Sequence, residues 1–131
     1  MPSVRINAVV LTSLLVACLG LASPSLQAQT VRMLVQSSPL AGFQYYSGKI
    51  HWEAMRVGDT LTLVREPDNP HDARAIRVEW QGEKLGYLPR AENRSVAEEL
   101  DRGGRVEARI AALREHRNPW KRVLIEVFVV L

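Results

Sequence analysis

Cysteine is almost absent from this sequence, which excludes a disulfide scaffold and a cysteine-based metal site. The only cysteine, Cys18, lies in an apolar run near the N-terminus, so no internal disulfide and no CxxC-type framework can form. Histidine is also scarce: His51, His71 and His116 are 20 and 45 residues apart, without the close pairs typical of zinc ligands. We therefore predict no metal site and no cofactor.

Catalytic motifs are missing as well. The chain contains no GxSxG nucleophile elbow, no HExxH zinc motif and no glycine-rich phosphate loop. A single aspartate or histidine in a loop is not a catalytic apparatus, so we predict no catalytic residues. Among the functional alternatives, a metal-dependent hydrolase-type activity is the one that the sequence favours least.

The composition that remains fits one small folded domain. Of the 131 residues, 47% are hydrophobic and 24% are charged, a balance typical of globular proteins rather than disordered ones. This length allows one domain and leaves no room for a second. The formal net charge of +3 is too small to indicate a nucleic-acid or membrane partner by itself.

Residues 1–28 have the pattern of a secretory signal peptide. Arg5 is the only charge before an uncharged apolar run at Ala8–Ala22, and small residues lead to a polar junction after Ala28. The run is shorter than the ~20 residues that a membrane-spanning helix needs. We predict cleavage after Ala28 and export to the periplasm or the medium, with no transmembrane span in the mature form.

Two alternatives stay open for this segment. Leu15–Cys18 (LVAC) resembles a bacterial lipobox, in which case Cys18 would carry the lipid and anchor the domain as a lipoprotein. Against this, the apolar run continues through Leu19–Ala22, where a lipoprotein signal would normally end. The second alternative is an uncleaved N-terminal anchor.

Beyond residue 28, apolar and polar residues alternate in short segments, the period typical of half-buried strands. Gln81-Gly82 separates two of these segments and predicts a tight hairpin. Helical spacing appears between Pro89 and Gly103, and a further short turn of helix is predicted at Glu53–Met55. The predicted strands are Val31–Val35, Leu61–Arg65, Ala75–Trp80, Lys84–Leu88, Arg105–Leu113 and Val123–Val130.

These elements predict a mainly β fold. About six short antiparallel strands with one or two short helices fit a closed or nearly closed OB-like barrel at residues 29–131, because closure removes exposed sheet edges. The expected apolar interior includes Leu63, Ile76, Val78, Leu88, Ile110 and Ile125.

Three segments carry candidate binding residues. Gly42–Tyr46 holds three aromatic residues, which either stack nucleobases from the barrel surface or fill the barrel end as core. The Arg65–Asp72 loop, made rigid by two prolines, either presents His71 and Asp72 to a ligand or forms an Asx turn in which Asp68 or Asp72 accepts from local backbone donors. Tyr87–Arg90 ends a strand with an aromatic ring and a cation that suits a phosphate or solvent equally well.

Together, these segments resemble a HIRAN domain over about residues 31 to 130. The matching motifs, in order, are Gly42–Tyr46 (GFQYY), Gly58-Asp59, Leu63–Ile76 (LVREPDNPHDARAI) and Gly86–Arg90 (GYLPR), followed by a helix. The resemblance implies an OB-like barrel, found alone in bacteria and fused to SWI/SNF-type DNA translocases in eukaryotes. In the fused forms the domain captures the 3′-hydroxyl end of single-stranded DNA.

The resemblance also implies roles for individual residues. Tyr45 would stack a terminal base, Asp72 would bond the 3′-hydroxyl, and Arg90 would hold a phosphate with Tyr87 beside it. Two positions depart from the family pattern: His71 stands where the fused forms have a second stacking tyrosine, and Gln44 replaces a basic residue. The predicted nucleic-acid-binding residues are Gln44, Tyr45, His71, Asp72, Tyr87 and Arg90.

The sequence thus predicts a small exported binding module for single-stranded nucleic acid or another polyanion. A module that binds an envelope protein or an envelope polymer is the main alternative, because export would carry the domain away from replication forks. An enzyme is the least favoured class.

N-terminal sequencing of the mature protein tests the predicted export. We expect the mature chain to begin at Gln29, because the apolar run and the small residues before Ala28 direct cleavage there. A chain that begins at a lipidated Cys18 would support the lipoprotein alternative instead. A cytoplasmic protein that retains Met1 would contradict both.

Overall fold

The protein is described by a computed structural model that covers residues 29–131, together with Ser3 and Gly20. Apart from those two positions, the predicted signal peptide, including Cys18, lies outside the described residues. Among the residues that are described, no helix is long and apolar enough to cross a membrane.

Six strands and two short helices make up the domain, with three single turns of 3₁₀ helix between them. The strands are β1 (Arg32–Pro39), β2 (Thr60–Arg65), β3 (Ile76–Trp80), β4 (Glu83–Tyr87), β5 (Val106–Leu113) and β6 (Val123–Val130). The helices are α1 (Gly48–His51) and α2 (Arg94–Asp101). The 3₁₀ turns are Phe43–Tyr45, Arg90–Glu92 and Pro119–Lys121.

The β3–β4 hairpin forms as its sequence predicts. Along β3, alternate side chains are buried, namely Ile76, Val78 and Trp80, so one face of the strand points into the core. The turn between the strands has positive φ at both central residues, 47° at Gln81 and 79° at Gly82. This is the conformation that a two-residue type I′ turn requires.

The strands form one antiparallel sheet that curls into a barrel. Their order is β1-β6-β5-β2-β3-β4, and the two ends of this order meet just beyond β1. There, the backbone N–H of Ala41 donates to the carbonyl oxygen of Tyr87, and the N–H of Tyr87 donates to that of Ala41, both at 2.9 Å. The mainly β, OB-like barrel predicted from the sequence is confirmed.

Gly86 permits this closure. A Cβ atom at this position would overlap the carbonyl oxygen of Ala41, so any larger residue would push the two chain segments apart. Register shifts within the β1–β6, β5–β6 and β3–β4 pairs add the local bends that help a sheet to curl.

The core contains the residues that alternation places inside. Ile76, Val78, Ile110 and Ile125 are fully buried and Leu88 is 2% exposed, as predicted. Leu63 is only partly buried, although it packs against this cluster. The core also takes in side chains that lie between the strands, namely Leu40, Phe43, Met55, Val96 and Ala97.

Two elements differ from the sequence prediction. β1 continues through Ser38 and Pro39, which pair with Ile125 and Leu124 of β6, because tertiary pairing overrides the weak strand preference of these residues.

The first helix, α1, lies upstream of the predicted turn at Glu53–Met55. Any side chain at Gly48 would overlap the ring of Phe43, so a glycine lets the helix pack directly on that buried ring. Met55 follows the helix as the end of a turn, and its N–H donates to the carbonyl oxygen of His51 at 3.1 Å.

Truncation of Ile76 tests this core. Because Ile76 is fully buried at the centre of the barrel, Ile76→Ala should lower the free energy of unfolding by about 2–5 kcal/mol. Val57→Ala is the matched control, since Val57 is 62% exposed and should change little. Denaturant melts measure both, and a loss below about 0.5 kcal/mol for Ile76→Ala would contradict the assigned strand.

Candidate functional site

A pocket lies beside the seam where the barrel closes. Its volume is about 290 Å³, and we call it the rim pocket. Residues from three separate segments line it: Ala41, Tyr46, Asn69, His71, Asp72, Ala75, Tyr87, Leu88 and Arg90. Closure of the barrel therefore brings together side chains that lie far apart in the sequence.

The loop between β2 and β3 is held rigid by the side chain of Asn69. Its Oδ1 accepts from the backbone N–H of His71 at 2.9 Å and of Asp72 at 3.3 Å, while its Nδ2 donates to Glu66 Oε1 at 3.0 Å. This is an Asx turn. At the loop's base, the N–H of Glu66 donates to the carbonyl oxygen of Ala75 at 2.9 Å. The loop thus presents His71 and Asp72 in fixed positions.

Asp72 is both a structural and an accessible carboxylate. Its Oδ1 accepts from the backbone N–H of Arg74 at 3.0 Å, and its Oδ2 accepts from Asn93 Nδ2 at 2.7 Å. Burial alone would raise the pKa of Asp72, but these two hydrogen bonds and the positive charges of Arg90 and Arg74 lower it. Asp72 is therefore ionised at neutral pH, and each oxygen keeps an unused lone pair.

Tyr87 is fixed by a chain of polar groups behind the pocket. Its hydroxyl donates to Glu66 Oε1 at 2.8 Å and accepts from Lys84 Nζ at 2.7 Å. Burial and the hydrogen bond to Glu66 raise the pKa of Tyr87, while Lys84 acts in the opposite direction. Arg77 completes the chain by donating to Glu66 Oε2 at 2.9 Å. The hydrogen bonds of its hydroxyl to Glu66 and Lys84 thus fix the position of the Tyr87 ring.

The carboxylate of Glu66 stays ionised in this network. Burial would raise its pKa, but hydrogen bonds from Asn69 and Tyr87 and the charges of Lys84 and Arg77 lower it. Glu66 therefore holds two parts of the pocket at once, the loop through Asn69 and the aromatic wall through Tyr87.

Lys84 lies against the two tyrosine rings of the pocket. Its ammonium nitrogen is 4.1 Å from the ring centre of Tyr46 and 4.5 Å from that of Tyr87, within the range of cation–π attraction. The two rings meet edge to face, with centres 6.0 Å apart. One cation therefore holds both rings in place.

Arg90 supplies the accessible positive charge of the site. It opens the 3₁₀ turn that follows Pro89, is exposed, and lines the rim pocket together with Asp72. Within the described part of the chain, its guanidinium makes no ion pair and no side-chain hydrogen bond. Its donors therefore remain available to a ligand.

Four of the six predicted site residues line the rim pocket, namely His71, Asp72, Tyr87 and Arg90. Gln44 and Tyr45 are exposed and lie outside its lining; Tyr46 lines it instead. The two tyrosines differ in their contacts: the ring of Tyr46 packs edge to face on that of Tyr87, whereas Tyr45 is 75% exposed. The binding roles of all six residues remain predictions.

Sequence reasoning missed the residues that support the site. Asn69 had a local signal, since an Asn-Pro pair in a rigid loop favours an Asx turn. Glu66 and Asn93 had none, because Arg77, Tyr87 and Asp72, which they contact, are 11 to 21 residues away in sequence. Lys84 is three residues from Tyr87 on the same strand, but its contact with the ring of Tyr46 depends on the fold. Among the described residues, no group of three or more His, Cys, Asp or Glu side chains is placed to hold a metal ion.

Comparison with known proteins identifies the family. The sequence model of the HIRAN domain family matches residues 33–131, which is most of the chain. The chain belongs to the HIRAN domain family. That family is associated with nucleic-acid binding, which supports a binding module. No curated protein matches the chain.

Two solved structures resemble this HIRAN domain. A crystal structure of a protein from Lactobacillus plantarum is 25% identical in sequence with a TM-score of 0.67, covering 78% of this chain and 98% of that one. The HIRAN domain of human HLTF is 21% identical with a TM-score of 0.58, covering 76% of this chain and 78% of its own. At this identity, the second likeness shows a shared fold alone.

Proposed function

We propose that this HIRAN domain binds single-stranded nucleic acid in the rim pocket and holds a free 3′-hydroxyl end there. The observation that carries the proposal is Asp72, an ionised carboxylate in the pocket wall with unused lone pairs. A carboxylate accepts a hydrogen bond from a hydroxyl but repels a phosphate. Membership of the HIRAN family supports the same class of ligand.

Arg90 supplies the complementary charge. Its exposed guanidinium lines the same pocket as Asp72, and a guanidinium binds phosphate oxygens with paired hydrogen bonds. A terminal nucleotide carries its hydroxyl and its phosphate on one sugar. One anionic and one cationic side chain in a single pocket therefore suit the two ends of that sugar.

Aromatic rings supply the stacking surface. Tyr46 and His71 line the pocket, and Tyr45, which follows Gln44 in the chain, is 75% exposed. Exposed rings stack nucleobases of any sequence. We assign the terminal base to the pocket and the preceding base to Tyr45, with Gln44 as a polar neighbour of the strand.

The same proposal assigns this activity to a compartment outside the cytoplasm, because residues 1–28 have the pattern of a secretory signal peptide. The ligand there would be single-stranded nucleic acid in the periplasm or the medium, or another polyanion with a free hydroxyl end. An anchored lipoprotein form would present the same pocket at a membrane surface.

Asp72→Ala tests how the end is recognised. We expect wild type to prefer an oligonucleotide with a 3′-hydroxyl over one with a 3′-phosphate. In the variant this preference should fall by about tenfold or more, because the charged hydrogen-bond acceptor is removed. Tyr45→Ala is the comparison variant. It should weaken both ligands together by about 1–3 kcal/mol, since stacking ignores the terminal group.

Fluorescence anisotropy of short labelled oligonucleotides measures these preferences. A wild-type protein without a 3′-end preference would contradict the end-binding mechanism. A protein that binds no oligonucleotide even at low salt would favour the alternative, a module for an envelope protein or polymer.

Arg90→Ala tests the phosphate contact. Loss of one contact should weaken binding and reduce the slope of log affinity against log salt by about one unit. Arg105→Ala is the matched control, because Arg105 is also exposed but lies outside the rim pocket. Equal changes in slope for the two variants, measured by salt titration, would mean that Arg90 adds only general positive charge.

A further inference from the structure

Asn93 is a buried polar residue that sequence reasoning did not single out. It lies between the 3₁₀ turn at Arg90–Glu92 and helix α2, at the N-cap position of that helix, and is only 1% exposed. Asparagine at an N-cap usually accepts a hydrogen bond from a backbone N–H in the first turn. Here the side chain makes no capping hydrogen bond.

The side chain of Asn93 is turned to Asp72 instead. Its Nδ2 donates to Asp72 Oδ2 at 2.7 Å. This orientation of the amide is fixed, because the opposite one would place two oxygens against each other. As a result, Asn93 Oδ1 is buried and has no hydrogen-bond partner among the described residues. A buried acceptor without a partner is unfavourable. The contact of Asn93 with Asp72 therefore replaces two stabilising interactions, the hydrogen bond that would cap the helix and a hydrogen bond to the amide oxygen.

We propose that Asn93 is a positioning residue that orients the Asp72 carboxylate toward the hydroxyl of the bound end and thereby sets the pocket's specificity for that hydroxyl. The proposal rests on the proposed function. Asn93 does not line the rim pocket, so it acts only through Asp72.

The geometry explains how this positioning works. The carboxylate of an aspartate without hydrogen-bond partners rotates over a wide range of angles about its terminal torsion. Asp72 is held at Oδ1 by the N–H of Arg74 and at Oδ2 by Asn93, so the plane of its carboxylate is fixed. The unused lone pairs then point in constant directions, and a hydroxyl in the pocket meets an acceptor that needs no reorientation. Without Asn93, only the backbone contact on one oxygen remains.

Asn93→Asp offers a test with a pH signature. The substitution keeps the shape of the side chain but replaces the donor with a second carboxylate beside Asp72. Two adjacent carboxylates cannot both ionise easily, so the pair retains a proton to a higher pH than a single aspartate does. At low pH the shared proton restores a donor between the two residues, and at high pH the donor is absent.

The readout is the preference for a 3′-hydroxyl oligonucleotide over one that ends in a 2′,3′-dideoxynucleotide. Neither end titrates in the range used. In wild type we expect the same preference at about pH 5 and about pH 8. Asp72 is an ionised acceptor at both, because hydrogen bonds lower its pKa. In Asn93→Asp the preference should fall by about tenfold at pH 8 and return at pH 5.

Other charged groups around Asp72 are the same in both proteins. Arg90, Arg74 and His71 face Asp72 or share its pocket. Variant and wild type are therefore compared at the same pH, so that any effect of these three residues cancels. Gln81→Glu is the matched control. It makes the same amide-to-carboxylate change at the exposed turn of the β3–β4 hairpin, away from the rim pocket, and should keep the wild-type preference at both pH values.

A second variant, Asn93→Ala, has no group to titrate and should lose the preference at both pH values. The proposal is overturned if Asn93→Ala keeps the wild-type preference, or if Asn93→Asp folds with a wild-type thermal melt but shows no return of preference at pH 5. A wild-type protein without hydroxyl preference would instead overturn the proposed function itself.

Discussion

The reciprocal hydrogen bonds between Ala41 and Tyr87 are the contact on which the rest of the structure depends. They join the two ends of the strand order and convert an open sheet into a barrel without free edges there. Gly86 is required because any side chain would overlap the carbonyl oxygen of Ala41. The same contact places Tyr46 and Tyr87 side by side, so closure of the fold and assembly of the site are one event.

Polar contacts then make the site rigid. Glu66 connects the loop that carries Asp72 with the ring of Tyr87, through Asn69 on one side and the tyrosine hydroxyl on the other. Every member of this network has a partner, which is the condition for a partly buried polar cluster to stabilise a structure. Next to this network, Asn93 is the exception: its Nδ2 contacts the carboxylate that we assign to the ligand, while its Oδ1 has no partner in the described part of the chain.

The strands and much of the core were predictable because alternation is a local property of the sequence. Ile76 and Val78 are inside for this reason, and the loop around Asp72 was recognised from its own residues. The position of α1 was not, because a contact between Gly48 and the ring of Phe43 decides it. Tyr46 rather than Tyr45 lines the pocket because its ring packs on that of Tyr87, a residue from a distant strand. The role of Asn93 depends on a partner 21 residues away.

The closing contact is also the narrowest pairing in the sheet, a single bridge between Ala41 and Tyr87. Local openings of a folded protein begin where few hydrogen bonds must break. Across this seam, the bridge is joined by a backbone hydrogen bond from the N–H of Ser47 to the carbonyl oxygen of Lys84 at 3.1 Å. A molecule in the rim pocket touches both sides of the seam, since Ala41 and Tyr87 both line it. Occupancy and seam opening are therefore thermodynamically linked: whatever fills the pocket suppresses opening of the barrel, and a barrel that opens more often binds more weakly.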